Sequence, residues 1–326
     1  MKIAARRVIT HPVLIRAAFS LSSRVAPIFM CHRFRDAELG TGGHDPQMLR
    51  ANLAWLHANK CSLLSLTEVL DRLAEGAPLN RAVAFTVDDG YTDFARVAAP
   101  VFAEFDCPVT VFLTTGCLDS HGWMWWDQVR VALKALRREE DRRPLIAELN
   151  RLPERQKLER VGKLVQESGL ELPDTAPPEF ASITWEDVRR LSRSGVTFGP
   201  HSVTHPVLSQ TGPEQSQFEI AESWRRVRDE AADGAAPVFC YPNGGSGDFG
   251  VREEEAVAAS GMRAAVAARP GYAARRDFSN GRRPAQFGLP RFSYPETHSS
   301  FIQVASHIER FKLAVRAAIG MNSSRE

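Results

Sequence analysis

The 326 residues carry 41 Lys and Arg against 39 Asp and Glu, a formal charge of +2. That near-balance implies neither nucleic acid nor an acidic polymer as a partner. An apolar share of 44% and a charged share of 25% are ordinary for a soluble globular chain, and the length suits one large α/β barrel or two modest domains.

In chain order, residues 1–26 read as an N-terminal arm. Its apolar stretch from Pro12 to Phe19 is broken by Arg16 and lacks a small-residue cleavage site, so neither a signal peptide nor a membrane-spanning helix is expected. The arm is basic and weakly amphipathic, which permits contact with a membrane surface without requiring it; the default is a surface helix packed on the body. Short apolar runs rich in β-branched and aromatic residues predict strands at 27–31, 62–65, 82–87, 109–114, 196–199, 237–240, 264–267 and 288–292. Helical spacing predicts helices at 46–58, 67–74, 92–105, 185–194, 214–232, 251–260 and 299–319, with starts at Thr67–Glu68 and at Thr184 followed by Asp187. Such alternation predicts a parallel sheet, and seven or eight units predict a closed barrel. Residues 123–180 interrupt the rhythm with a charged, strand-free, helical insertion that opens on Trp123, Trp125 and Trp126. Those rings either anchor the insertion or stack on a sugar face. The segment 296–326 reads as a C-terminal helix and tail, capping the barrel by default. The five cysteines, Cys31, Cys61, Cys107, Cys117 and Cys240, are odd in number and form no C-x-x-C pair, which predicts reduced thiols and a cytoplasmic location.

The strand at 82–87 ends in Asp88-Asp89-Gly90. Adjacent carboxylates raise one another's pKa unless a cation lies between them. A metal answers this by binding one and leaving the other as a base; a polar turn built on Gly90 is the alternative. Further on, His201-Ser-Val-Thr-His205-Pro206 follows the strand at 196–199. Spacing of i and i+4 puts both imidazoles on one face of a helical turn. By itself the pair is more often plain surface. Together with the acidic strand end, two His and one Asp make an open three-ligand set for Zn²⁺ or a similar divalent ion.

With these motifs the chain resembles the NodB-like polysaccharide deacetylases, carbohydrate esterase family 4. PIFMCHRF (27–34) resembles the opening strand of that family. FTVDDGYTDFARVAAPVFAEFDCPVTVFLTTGCLD (85–119) resembles the acidic motif with the helix and strand that follow. ITWEDVRRLSRSGVTFGPHSVTHPVLSQ (183–210) resembles the histidine motif, and FCYPNGG (239–245) the third motif. The likeness covers about 27–295 and implies a distorted (β/α)7 barrel of the NodB homology type, with the helical insertion and the C-terminal helix as additions. It further implies Asp88 as general base and Asp89, His201 and His205 as metal ligands. Zn²⁺ is the first choice of ion, with Co²⁺, Mn²⁺ or Ni²⁺ as alternatives. Tyr241 and Asn243, whose backbone N–H would face the oxyanion, belong to the substrate side with Trp126 and Arg291.

Two departures from the family pattern stand out. The third motif commonly carries an arginine after Phe that supports the base; here the position is Cys240, and Arg291 is the nearest substitute, against the alternative of a plain surface arginine. The Leu-x-Leu-His motif that supplies the catalytic acid has no good copy. A branch of the family acting on poly-N-acetylglucosamine-type polymers uses the first-strand histidine instead, here His32, with His298 and His307 as weaker rivals. The expected activity is metal-dependent N-deacetylation of an N-acetylated saccharide, of N-acetylglucosamine type in a glycan or lipid-linked sugar. The alternatives are an amidase acting on a small non-carbohydrate amide and a catalytically impaired glycan-binding protein.

Overall fold

A computed structural model describes residues 15, 18, 19, 23–278 and 285–310; most of the N-terminal arm and the distal part of the expected terminal helix lie outside them. The strands are β1 (Val25–Cys31), β2 (Ser62–Leu63), β3 (Ala82–Val87), β4 (Val109–Leu113), β5 (Val196–Pro200), β6 (Val238–Cys240), β7 (Ala264–Ala267), β8 (Tyr272–Ala274), β9 (Leu289–Pro290) and β10 (Phe292–Ser293). β1, β3, β4 and β6 are buried at every residue, as strands covered on both faces must be, which is why they read as continuous apolar runs.

One ladder runs β10-β1-β3-β4-β5 and a second runs β6-β7-β9, with every one of these pairings parallel. The two ladders meet twice. A parallel bridge joins Phe198 to Ala235 at the entry to β6, and β9 and β10 are consecutive pieces of one segment, separated by Arg291. The first piece pairs with β7 and the second with β1. Among the described residues seven parallel staves therefore return on themselves, the distorted (β/α)7 barrel that the family resemblance implies and one of the two unit counts that the alternation predicts. β2 and β8 are small additions; β8, antiparallel to β1, is too short to signal itself in the sequence.

The helices are α1 (Pro46–Ala58), α2 (Leu66–Glu75), α3 (Ala99–Ala103), α4 (Thr115–Ser120), α5 (Trp125–Ala135), α6 (Arg142–Leu149), α7 (Glu154–Glu167), α8 (Trp185–Ser192), α9 (Pro213–Ala231), α10 (Val251–Ala259) and α11 (His298–Ala305). Thr184 and Asp187 form the capping box expected at the start of α8. At α2 the cap is Ser65 rather than Thr67: Ser65 Oγ accepts from Glu68 N while the Glu68 carboxylate accepts from Ser65 N. The helix expected over 92–105 is broken into a π turn, Phe94–Ala98, and the short α3. Pro100 lacks the N–H that an uninterrupted ladder needs there.

Strand alternation sets the inner surface of the barrel. Val83, Phe85 and Val87 of β3 pack in the cluster shared with the surrounding helices, whereas Ala82 and Ala84 belong to another. Extending the second row by twos reaches Thr86 and Asp88, so Asp88 points into the barrel at the C-terminal end of β3.

Candidate active site

The chain turns sharply after β3. Asp89 and Gly90 both have left-handed φ, 72° and 74°, and a Cβ on Gly90 would lie 2.8 Å from Leu113 Cδ2. Glycine meets both demands. The turn leaves Asp88 and Asp89 both buried, at 2% and 6% exposure, yet gives them different partners.

Asp88 belongs to Arg291. The guanidinium donates from Nη1 to Oδ1 at 2.7 Å and from Nη2 to Oδ2 at 2.8 Å, and Nη1 also donates to Thr86 Oγ1 at 2.9 Å. Arg291 Nη2 lies 3.1 Å from Cys240 Sγ, and that sulfur is 3.5 Å from Asp88 Oδ2. These contacts cross the barrel from the β9–β10 seam to β3 and β6, strands that are not neighbours. A thiol at 240 leaves room on the inner wall, and a guanidinium arriving from another stave fills it. Arg291 is therefore no surface arginine: it is 1% exposed and stands behind Asp88, away from the substrate side where the sequence had grouped it. Burial alone would raise the Asp88 carboxyl, but the charge and hydrogen bonds of Arg291, helped by the His201 and His32 imidazoles, outweigh it and hold the group well below the usual carboxylate range. Burial pushes the Cys240 thiol up, so it stays protonated.

Asp89 faces the histidines. His201 Nε2 and His205 Nε2 each lie 3.6 Å from the same oxygen, Asp89 Oδ1, and the three candidate ligand atoms lie within 4.8 Å of one another. Distances of 3.6 Å are too long for hydrogen bonds and leave a shared point between the donors. The His201 Nδ1 is 2.7 Å from the Cys240 carbonyl oxygen. That oxygen can only accept, so Nδ1 carries the proton and Nε2 presents a lone pair to the shared point. Burial lowers the pKa of both imidazoles, favouring the neutral form a metal needs. The donor set of one carboxylate and two neutral imidazoles thus fits a divalent ion. Asp88, His201 and Cys240 form a second cluster of possible donors, but Arg291 saturates Asp88 and holds a cation against the protonated thiol, so this cluster is the poorer host.

The histidine loop departs from the sequence reading. His201 to Val207 contains no helical turn; Ser202 and His205 have left-handed φ, 64° and 59°, and Ser202 Oγ accepts from His205 N at 2.9 Å. The two rings meet because this tight turn folds back, not because they share a helix face. Its far side rests on Glu219 of α9, which is wholly buried. Glu219 accepts from Val203 N (2.8 Å), Thr204 N (2.9 Å), Thr204 Oγ1 (2.7 Å) and Gln215 Nε2 (2.8 Å). The sequence did carry a signal for it: Glu219 falls on the stripe of buried positions Ser216, Ile220, Ser223 and Val227, where an unpaired acid would not be tolerated.

Replacing His205 by Ala is expected to weaken divalent-metal binding at least 10- to 100-fold, the loss typical of a supporting residue alone. Metal content after dialysis measures it, and unchanged content would remove His205 from the ligand set.

These residues line a cavity of about 230 Å³ at the C-terminal ends of the strands, together with His32, Trp126 and Asn243. His32 follows β1, has a side chain 46% exposed, and places Nε2 4.0 Å from Asp88 Oδ2. Asn243 is exposed on the rim with φ of 57°. Trp126 packs its ring edgewise on His205 at 4.6 Å and donates from Nε1 to Tyr91 Oη at 2.7 Å. Tyr241 is displaced from the expected substrate side: its hydroxyl donates to the Phe287 carbonyl, its ring stacks on Phe249 at 3.7 Å, and its own N–H donates to Val266 O at 3.3 Å. Neither rival histidine lines the cavity. His298 Nδ1 is 2.6 Å from Asn52 Oδ1, and His307 is fully buried against Tyr272 and Phe19 rather than solvated. A larger depression, about 440 Å³, lies at the opposite end of β4 and β5 beside Cys107 and Val196; none of the candidate metal ligands is there.

A family model described as polysaccharide deacetylase matches residues 75–264, more than half of the chain. The chain belongs to the polysaccharide deacetylase family. The match takes in both acidic and histidine motifs of this polysaccharide deacetylase homologue and leaves His32 and Arg291 outside it. A putative polysaccharide deacetylase of Bacillus subtilis (strain 168), YxkH, is 21% identical over 226 residues, which are 69% of this chain and 58% of that protein; the chain thus spans little more than half the length of this curated relative. Among solved structures, the deacetylase PplD of Streptococcus pyogenes in complex with acetate superposes with a TM-score of 0.60 at 17% identity, covering 87% of this chain and 99% of that one. IcaB from Ammonifex degensii gives 0.56 at 15% identity, covering 87% and 98%. At such identities the likeness carries the polysaccharide deacetylase fold.

Proposed function

We propose that the chain is a metal-dependent hydrolase that removes N-acetyl groups from an N-acetylated saccharide, an N-acetylglucosamine-type glycan or a lipid-linked sugar. The observation that carries the reading is the division of adjacent carboxylates: Asp88 is held ionised by Arg291, while Asp89 shares a point with two imidazoles. Asp89, His201 and His205 would hold the ion, Zn²⁺ before Co²⁺, Mn²⁺ or Ni²⁺. When bound, such an ion polarises an acyl carbonyl and acidifies water, so that even a weakly basic carboxylate can take its proton.

Asp88 accepts that proton as the water oxygen adds to the acetyl carbon. The C–N bond then breaks as the departing nitrogen receives a proton from His32, which stands open to the cavity, and the acetic acid formed gives up its own proton to solvent as acetate. The 4.0 Å between His32 Nε2 and Asp88 Oδ2 is too long for a direct hydrogen bond, so the proton held by Asp88 returns to His32 through one water before the next turnover. Asn243 on the rim is the chain's candidate for the oxyanion, through its backbone N–H. Among the described residues no helix is long and apolar enough to cross a membrane, and a cytoplasmic or membrane-peripheral setting remains part of the proposal.

Acetate release from a panel of N-acetylated saccharides, with and without chelator, tests the reading. Release that chelator abolishes and added metal restores is expected. Acetate from small amides alone would favour the amidase, and binding of saccharides without release would favour the impaired protein. His32→Ala is expected to lower kcat about 10²- to 10⁴-fold, while His298→Ala and His307→Ala leave kcat per folded molecule near wild type. The reverse pattern would assign the acid to one of those two histidines.

A further inference from the structure

Part of the cavity wall does not come from the barrel. Trp125 opens α5, and Ile146 and Asn150 stand at the end of α6; all three line the same cavity as the metal-ligand set. Ile146 and Asn150 are four residues apart, one helical turn, and so share a face. The insertion has its own small core of Trp125, Val129, Leu133, Leu149, Val161 and Leu164, which lets it hold these groups in place rather than drape over the mouth. Behind the indole, Lys157 is 1% exposed, pairs with Glu154 at 2.6 Å and lies 4.8 Å from the Trp125 ring centroid.

Two polar atoms of residues in this wall stand out. Trp125 is 6% exposed, and its Nε1 is buried with no hydrogen-bond partner; Asn150 Oδ1 is buried and likewise unpartnered. Neighbouring indoles are treated differently. Trp123 Nε1 donates to Pro173 O, Trp126 Nε1 to Tyr91 Oη and Trp185 Nε1 to Asp119 Oδ1. Buried polar groups without partners are costly, and the two residues that carry these atoms line the cavity, where a ligand can supply what the protein does not.

We infer that the helical insertion is the substrate-selecting wall of the site: Trp125 and Asn150 hydrogen-bond hydroxyl groups of the sugar ring bearing the reacting acetamide, while Ile146 packs on its carbon skeleton. The inference rests on the deacetylase reading and adds to it the class of group recognised. The acetamide itself is engaged by Asp88, His32 and the ion-binding set, so the unpartnered pair meets something else on the same molecule. An indole N–H only donates and an amide oxygen only accepts; a hydroxyl does both, and answers either. At about 230 Å³ the cavity is below the roughly 300–1,000 Å³ usual for larger ligands, which fits one ring and not a stretch of polymer. A small acyl amide without hydroxyls gains nothing from this wall.

The test compares metal-loaded wild type with Asn150→Leu and Trp125→Phe, the second keeping an aromatic ring without the N–H. N-acetylated chito-oligomers and 4-nitroacetanilide serve as substrates, and calorimetric binding of the oligomers is measured in an Asp88→Asn background. Each change is expected to raise KM for the oligomer about 3- to 10-fold, the worth of one hydrogen bond, with kcat less affected. The oligomer-to-anilide ratio of kcat/KM should fall by a similar factor, and oligomer binding should weaken alongside. Unchanged KM and binding in both variants, or equal losses on both substrates, overturn the inference while the deacetylase reading stands. A wild-type chain that neither binds the oligomers nor releases acetate from them sinks that reading, and the inference with it.

Discussion

Asp88→Asn is expected to lower kcat about 10²- to 10⁴-fold, the range usual for loss of a general base, with metal content unchanged. Asp88 is not in the better-fitting ligand set, and the asparagine keeps one oxygen to accept from Arg291 while losing the basic site. The change also leaves the Arg291 guanidinium partly uncompensated in a dry interior, so the assay must be scaled to folded protein by circular dichroism. Turnover near wild type, per folded molecule, would refute the base assignment. The pair has its own pH dependence. Because the folded pKa of Asp88 is depressed, the stability it contributes is present above the unfolded value of about 3.9 and is lost as pH falls towards the folded one. The pair is thus at full strength at neutral pH and fails only in strong acid.

Arg291→Met is the companion change, with the largest expected cost in stability. Removing one partner of a buried ion pair typically costs about 3–5 kcal/mol, because the other charge is left without compensation. Here the abandoned group is Asp88, and burial would then act on it with far less opposition and push its pKa up. Two readouts follow: denaturant unfolding at neutral pH should show the loss of several kcal/mol, and the acid limb of kcat/KM should move to higher pH. Combining Arg291→Met with Asp88→Asn should cost less than the sum of the single changes, because the double variant strands neither charge. A loss below about 1 kcal/mol for Arg291→Met, the worth of a typical surface pair, would show that the contact does not hold the base.

Much of the barrel was legible because the staves β1, β3, β4, β6 and β7 are short, apolar and buried at every residue, and some helices carry their own start signal. Thr184 and Asp187 act within three residues of each other, where sequence distance and spatial distance coincide, whereas at α2 the start was read at Thr67 and the cap is Ser65. The cluster of candidate ligands was legible for a similar reason: Asp88-Asp89 closes one strand, and His201 and His205 lie in one tight loop. The helical turn expected for the histidines was wrong because periodicity records spacing and not backbone angle; two left-handed residues bring the rings together instead. Tyr241 shows the same limit. Its place in a motif gave no hint that Phe287 and Phe249 would hold its hydroxyl and ring away from the cavity.

The sequence by itself determined the alternation of strands and helices and the acidic and histidine motifs; that Cys240 stands where an arginine is common is what the family resemblance implies. Those features are local, written in period-2 and period-3.6 patterns and in residues a few positions apart. Only the tertiary structure decided what fills the place beside Cys240, since Arg291 is 203 residues from Asp88 and reaches it from the seam where the barrel closes. It also decided that Glu219 braces the histidine loop from another element, and that Trp125, Ile146 and Asn150 of the insertion face the ligand set. Each of these contacts crosses the barrel or joins separate elements. Their partners are chosen by closure and packing, which no local pattern encodes.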